Sequence, residues 1–169
     1  MANDFEIIEQ NLGYAIEIEE TASAWRMPAI FSRDYQRIAE YLQSKGAEIL
    51  DFPYARYQDM NWDVELNRGK LATFFSLFTK KWHFYVGMPS SVALPGKDDL
   101  KTVTHPSQHY VRGTHFGPYK DCSGTYKALF NWAQHKGLTL KNEAIEYYVN
   151  DPREVDEAEI ETVIMIPLK

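Results

Sequence analysis

Apolar and polar residues alternate along Tyr14-Ala-Ile16-Glu-Ile18-Glu with the period of a strand that buries one face. Phe31, Tyr35, Ile38 and Leu42 then recur every three to four residues, which gathers them on one stripe of a helix. Ser32 is suited to cap its start, and Gly46 can take the left-handed conformation that ends it. Pro53 to Met60 and Trp62 to Leu66 read as extended segments. Trp82-His-Phe84-Tyr-Val86-Gly-Met88 alternates again before the Pro89-Ser-Ser turn. Between Gly69 and Lys80 the run from Leu71 to Phe78 fits a strand or a short helix, and periodicity does not separate them. The first half therefore predicts strand, helix, strand, strand.

The second half repeats the order. Pro95-Gly-Lys-Asp-Asp reads as a surface loop, His109 to Phe116 as a strand, and Gly117-Pro118 as the turn into a second helix ended by Gly137. Tyr126, Leu129, Phe130 and Ala133 form its buried stripe. Ala144 to Val149 and Ile160 to Pro167 complete the pattern, separated by the acidic turn around Asp151-Pro152. The stretch Tyr35-Gln-Arg-Ile38-Ala-Glu-Tyr41-Leu-Gln-Ser-Lys45-Gly46 is matched without a gap by Tyr126-Lys-Ala-Leu129-Phe-Asn-Trp132-Ala-Gln-His-Lys136-Gly137. Two β-α-β-β units, about 1–94 and 100–169, predict an α+β fold within one domain spanning 1–169. Antiparallel strands would form the sheet or sheets, two helices would lie outside, and a groove would follow the pseudo-twofold axis. In the repeat register Ala55-Arg56-Tyr57 falls opposite Glu146-Tyr147-Tyr148, so the copies differ by one acid in an aromatic setting. A carboxylate placed there needs a reason, because burying a charge is costly.

Composition narrows the function. A chain of 169 residues can bury a real core, and a net charge of −6 with no basic cluster disfavours phosphate backbones as partners. Cations, amphipathic amines and basic protein surfaces are favoured instead. One cysteine, Cys122, leaves no internal disulfide framework and no multi-thiolate zinc site. His105, His109 and His115 lack the paired spacing of a helical zinc motif, and no Gly-rich phosphate loop is present, so neither metal nor cofactor is expected. Without a long apolar run or signal segment, a cytoplasmic protein that does not enter the membrane is the expectation. Aromatic residues make up 14%, with eleven tyrosines and four tryptophans, which suits a pocket greasy in body and wet at its rim.

His115-x-Gly117-Pro118-Tyr119, Thr125-Tyr126, Leu129, Trp132 and Gly137, followed by Glu146-x-Tyr148, Asp151-Pro152, Thr162 and Ile166-Pro167, resemble the GyrI-like family. That family includes effector-binding domains attached to AraC-type and MerR-type multidrug-responsive regulators. Met27-Pro-x-Ile-Phe31 through Gly46, Pro53 and Tyr57 extend the resemblance into the first half. It implies a duplicated, effector-binding-like fold with a central aromatic cavity, and a glutamate in it that faces cationic, lipophilic compounds. Glu146 matches that position. The chain departs from the pattern by an insert from about Trp62 to Lys81 and by Val163, where many relatives carry an acid. With no DNA-binding segment preceding it, the chain reads as a stand-alone module.

Glu146 and Tyr148 are two apart on a strand and share a face with Ala144, while Ile145, Tyr147 and Val149 share the other. Alternation alone makes the second face look more like core and leaves Glu146 as either a solvated sheet residue or a pocket carboxylate. The repeat and the resemblance favour the pocket. Tyr57 is the repeat partner of Tyr148, and Trp82 and Phe84 are candidates from the following strand. Trp62 and Trp25 could sit at a rim. Tyr35, Tyr119, Tyr126 and Trp132 read as helix packing or helix entry rather than ligand contacts. The expected function is non-catalytic binding of small amphipathic cations, with ligand contacts from Glu146, Tyr148, Tyr57, Trp82, Phe84 and Trp62. The alternatives are a hydrolase of reactive small molecules with Glu146 as general base, and a ligand-dependent regulatory partner of another protein.

Overall fold

Eight antiparallel strands and the helices between them follow one another along the chain in a computed structural model that describes residues 4–69, 72, 76 and 78–169. They are β1 (Glu6–Gln10), β2 (Gly13–Ser23), α1 (Met27–Ser44), β3 (Tyr54–Tyr57), α2 (Trp62–Asn67), β4 (Lys81–Pro89), β5 (Lys101–His105), β6 (Gln108–Phe116), α3 (Cys122–His135), β7 (Ala144–Tyr148) and β8 (Glu161–Pro167). The strands join in one sheet in the order β1-β6-β8-β7-β3-β4-β2-β5. That order is unchanged when it is read backwards and β1/β5, β2/β6, β3/β7 and β4/β8 are exchanged. The pseudo-twofold axis therefore passes between β3 and β7, paired over Tyr54–Tyr57 and Ala144–Tyr147 in the middle of the sheet.

Each half carries one strand more than the sequence pattern predicts. The extra strands are β1 and β5, five residues each and largely exposed, so they lack the alternation that marks a half-buried strand. Each also crosses to the other half: β1 pairs with β6, and β5 pairs with β2.

Two other expectations are corrected. The first helix begins at Met27 rather than near Ser32, with Pro28 in its opening turn, where the fixed φ of proline suits a helix and its missing N–H costs nothing. Ser32 is an exposed residue inside that helix. Trp62 to Leu66 is helical rather than extended. The Asn61 side chain accepts the Val64 N–H at 3.3 Å, and Asp63 and Glu65 occupy the first turn, so local capping and charge outweigh the extended-looking pattern. The helix stops at Gly46 and Gly137 stand where expected, with φ of +66° and +69°. The question of strand or helix for Leu71, Phe74, Phe75 and Leu77 lies outside the described residues.

Both long helices lie on the same face of the sheet. α1 packs over β2 and β4, and α3 over β6. Ile38 and Leu42 of α1 and Leu129 and Ala133 of α3 are wholly buried against Ile18, Phe84, Val86, Val111 and Ile164. Each buried leucine or isoleucine contributes about 1.5–3 kcal/mol. Because each helix covers its own half, the central strands β3 and β7 are left beneath a gap between them.

The opposite face is buried too, around Tyr54, Tyr110, Tyr147 and Met165. In a flat sheet β3 and β5 would lie about 14 Å apart, three steps of roughly 4.8 Å. Yet the Tyr54 hydroxyl lies 3.3 Å from His105 Nε2, so the sheet curls toward this face. Glu17, fully buried there, accepts hydrogen bonds from Tyr54 at 2.8 Å and from Arg56 Nη2 at 2.7 Å, with His105 Nε2 at 3.0 Å. Burial alone would raise the Glu17 pKa, but the hydrogen bonds from His105 and Arg56 outweigh it and bring the carboxyl down to about 2. Among the described residues no helix is long and apolar enough to cross a membrane.

Candidate ligand-binding site

The gap above β3 and β7 is a cavity of about 1410 Å³, walled by α1, α2, α3 and the central strands. Strand alternation sends Tyr57, Glu146 and Tyr148 to this side of the sheet, and Tyr54, Arg56, Ile145 and Tyr147 to the curled side. Alternation could not choose between the faces because both are covered. One holds a packed aromatic cluster, and the other holds the cavity.

Glu146 is the polar centre of the wall. The Tyr126 hydroxyl of α3 donates to Glu146 Oε1 at 2.7 Å, and the Tyr148 hydroxyl to Oε2 at 2.9 Å. Tyr57 and Tyr148 hydroxyls lie 3.3 Å apart, extending the phenol chain across the pseudo-axis. Burial raises the Glu146 pKa above the ordinary carboxylate range, and the bonds from Tyr126 and Tyr148 work against that rise. Burial also pushes the pKa of Tyr57, Tyr126 and Tyr148 well above that of a free phenol, so they are donors at neutral pH. Other carboxylates in the wall are already paired: Glu65 with Arg68 and Lys80, and Asp151 with Arg153. Among the described residues Glu146 has hydrogen bonds only from phenols and no basic ion-pair partner.

Rings surround this carboxylate. Tyr148 lies 5.4 Å from Phe31, 6.4 Å from Tyr35 and 5.5 Å from Tyr119, measured between centroids. Trp62 lies 5.9 Å from Tyr126 and 6.2 Å from Phe130, and its Nε1 donates to the Lys141 carbonyl at 2.9 Å, which fixes the indole in place. Trp82 meets Tyr57 edge-on at 6.2 Å. Electron-rich ring faces around an unpaired carboxylate make an environment in which a delocalised cation is favoured by two independent terms.

Of the six residues singled out from the sequence, Glu146, Tyr148, Tyr57, Trp62 and Trp82 stand in the cavity wall. Phe84 is fully buried behind it, in contact with Phe31 and Tyr57, and supports those rings rather than reaching the space. Trp25 is 60% exposed in the turn before α1 and is not part of the wall. Tyr35, Tyr119 and Tyr126, read from sequence as helix packing, line the cavity, and Tyr126 holds Glu146 directly. The repeat contained that signal, since Tyr35 and Tyr126 are equivalent positions just as Tyr57 and Tyr148 are. Trp132 packs on Phe5 at 6.1 Å, away from the site. Cys122 is buried in the wall, and burial raises its thiol pKa far above the usual range, so it is a neutral thiol. No group of three His, Cys, Asp or Glu among the described residues could hold a metal ion.

A two-helix cover over a pseudo-symmetric antiparallel sheet, with an aromatic cavity on the axis, defines a small-molecule-binding fold. The GyrI-like small molecule binding domain matches residues 72–169, and the chain belongs to that family. No curated protein matches it. Among solved structures it is similar to the EcmrR C-terminal domain, at TM-score 0.71 and 16% identity over 100% of this chain and 99% of that one. It is also similar to a hydrolase from Listeria innocua, at TM-score 0.64 and 14% identity over 98% and 91%. SAV2435, solved bound to tetraphenylphosphonium, matches at TM-score 0.62 and 14% identity over 98% and 94%. These likenesses establish the fold.

Proposed function

We propose that the chain binds amphipathic, lipophilic organic cations in the cavity around Glu146. The observation that carries this reading is a carboxylate held by Tyr126 and Tyr148 inside an aromatic cavity, with no basic ion-pair partner among the described residues. An entering cation would supply the missing counter-charge, while Tyr57, Tyr148, Trp62 and Trp82 would supply ring faces. Each ring contact contributes about 0.5–2 kcal/mol, so two or three rival the carboxylate itself. Apolar burial would set affinity, and Glu146 would set the sign of charge preferred. That SAV2435 holds tetraphenylphosphonium on the same fold is consistent with this.

The test is calorimetric titration with tetraphenylphosphonium and tetraphenylborate, which match in shape and differ in charge. The cation should bind at least about tenfold tighter than the anion, and Glu146→Gln should remove about that factor, near 1.4 kcal/mol. Equal binding of the two ions, or cation binding unchanged in Glu146→Gln, sinks the reading.

A second reading rests on the raised pKa of Glu146, which suits a general base that activates water against a reactive electrophile, with Tyr126 or Tyr148 as donor. Turnover of such an electrophile, lost in Glu146→Gln, would favour it over binding alone.

A further inference from the structure

Among the described residues of the cavity wall, the Arg68 Nε and the Tyr35 hydroxyl are buried polar atoms without a hydrogen-bond partner. Buried polar groups are nearly always paired, and an orphaned donor beside a cavity marks where a guest or a water completes the set. The two orphans sit in different electrostatic settings. Tyr35 belongs to the Glu146 end, where its ring lies 6.4 Å from that of Tyr148, and burial, with Glu146 adding to it, raises the pKa of its hydroxyl. Arg68 belongs to the α2 end. It caps the C-terminus of α2 with φ −67° and ψ 126°, where the chain leaves the helix.

Arg68 is ion-paired there with Glu65. The Arg68 Nη2 reaches Glu65 at 3.2 and 3.3 Å, long for a charge-assisted bond. Glu65 is also claimed by Lys80, whose ammonium lies 3.4 Å from the centre of the Trp82 ring. One carboxylate thus serves two cations. The opposite pole is Glu146, tied to α2 through Tyr126 and the Trp62 ring. Arg68 lies six residues beyond Trp62, roughly 9 Å along the helix axis.

We propose that the cavity is bipolar and selects dipolar ligands: aromatic cations that also carry a carboxylate or another strong hydrogen-bond acceptor, placed to meet Arg68 while the cationic end meets Glu146. The inference rests on the cation reading of the site and adds a second recognition point to it. A guanidinium fork favours a planar carboxylate over an ester, because both oxygens of the carboxylate accept and both share the negative charge.

Rhodamine B, a zwitterion with a free carboxylate at neutral pH, and its ethyl ester, a plain cation, share one ring system and supply the test by fluorescence titration. Wild type should bind the zwitterion about fivefold tighter than the ester, the order expected of one charge-assisted contact in a partly wet site. Arg68→Met keeps the aliphatic stem and should bring that ratio to about one by weakening the zwitterion relative to the ester, with a wild-type melting temperature certifying the fold. Arg68→Lys should keep only part of the preference, since an ammonium is a point donor. Glu146→Gln should weaken both dyes together and leave their ratio intact. Equal affinities in wild type, or a preference that survives Arg68→Met, overturn the proposal. Where both dyes ignore Glu146 the cation reading itself has failed; where Glu146 matters and the ratio is one, only the bipolar inference has.

Discussion

Ala55 and Glu146 are direct cross-strand partners at the join of β3 and β7, so a fully buried methyl group and a cavity-wall carboxylate stand side by side on the pseudo-twofold axis. They are also the equivalent positions of the internal repeat. Near a twofold axis equivalent residues meet, and two glutamates there would place like charges within one buried site. A carboxylate on one copy alone avoids that repulsion.

Ala55→Glu should therefore destabilise the fold by about 1–3 kcal/mol from overpacking, with like-charge repulsion in addition. Combining it with Glu146→Ala should recover part of the loss, because only one carboxylate then remains. Urea unfolding of the two variants and wild type measures both effects. With Glu146→Ala alone as the remaining corner of the cycle, additive effects would show that the two side chains do not interact.

The raised pKa of Glu146 has a definite sign in stability. The folded state holds this proton more tightly than the unfolded chain, so the group favours folding at low pH and that benefit is lost as pH rises through the folded value. Glu146→Gln should raise the ligand-free melting temperature at neutral pH, by about 2–4 °C if roughly 1 kcal/mol is relieved. Cation binding favours the ionised carboxylate, so tetraphenylphosphonium affinity should fall in wild type as pH is lowered and stay level in Glu146→Gln, as calorimetry at several pH values would show.

Glu17 carries the opposite sign. Its pKa, brought to about 2 from an ordinary value near 4.5, contributes stability that is complete above that ordinary value and lost as pH falls toward 2. Glu17→Ala should cost about 3–5 kcal/mol at pH 7, because Arg56 would be left buried without its partner. Denaturant melts at pH 7, 4 and 3 should show a steep acid-side loss in wild type and a flatter one in Glu17→Gln.

Gly87 should not tolerate a side chain. The Tyr54 ring lies directly over it, so a methyl group there would push Tyr54 away and strain its bond to Glu17. Gly87→Ala should cost about 1–3 kcal/mol. A Gly87→Ala, Tyr54→Phe pair would show whether the cost comes from the ring or from its hydroxyl, since Phe keeps the clash with the ring carbons and removes the hydroxyl with its contact and its bond.

Trp62→Ala should remove the indole that packs on Tyr126 and Phe130, destabilising by about 3–5 kcal/mol, whereas Trp62→Phe should lose chiefly the bond to the Lys141 carbonyl, about 1 kcal/mol. With Tyr126 no longer braced against Glu146, tetraphenylphosphonium affinity should fall further in the alanine variant than in the phenylalanine one.

Much of the fold was legible in the linear pattern. The apolar stripes of Ile38 and Leu42 and of Leu129 and Ala133, with glycines at 46 and 137, are local matters of helical period and left-handed backbone, and they specify α1 and α3. Trp62 to Leu66 misled because five residues are too few for periodicity to outvote a cap that depends on Asn61. The edge strands β1 and β5 left no signal because each gains its place from a partner in the other half.

By itself the sequence determined two repeated units, an acid that breaks their equivalence, and the sharing of one strand face by Glu146 and Tyr148. It could not decide which face encloses space, because a strand with both sides buried alternates without saying which side is packed and which is hollow. Only the tertiary structure made that choice. α1 and α3 each cover their own half and leave β3 and β7 open between them, and the curl of the sheet buries Glu17 and Tyr54 on the far side. The same packing carried Tyr126 from a helix stripe to within 2.7 Å of Glu146, a contact between residues that no local period connects.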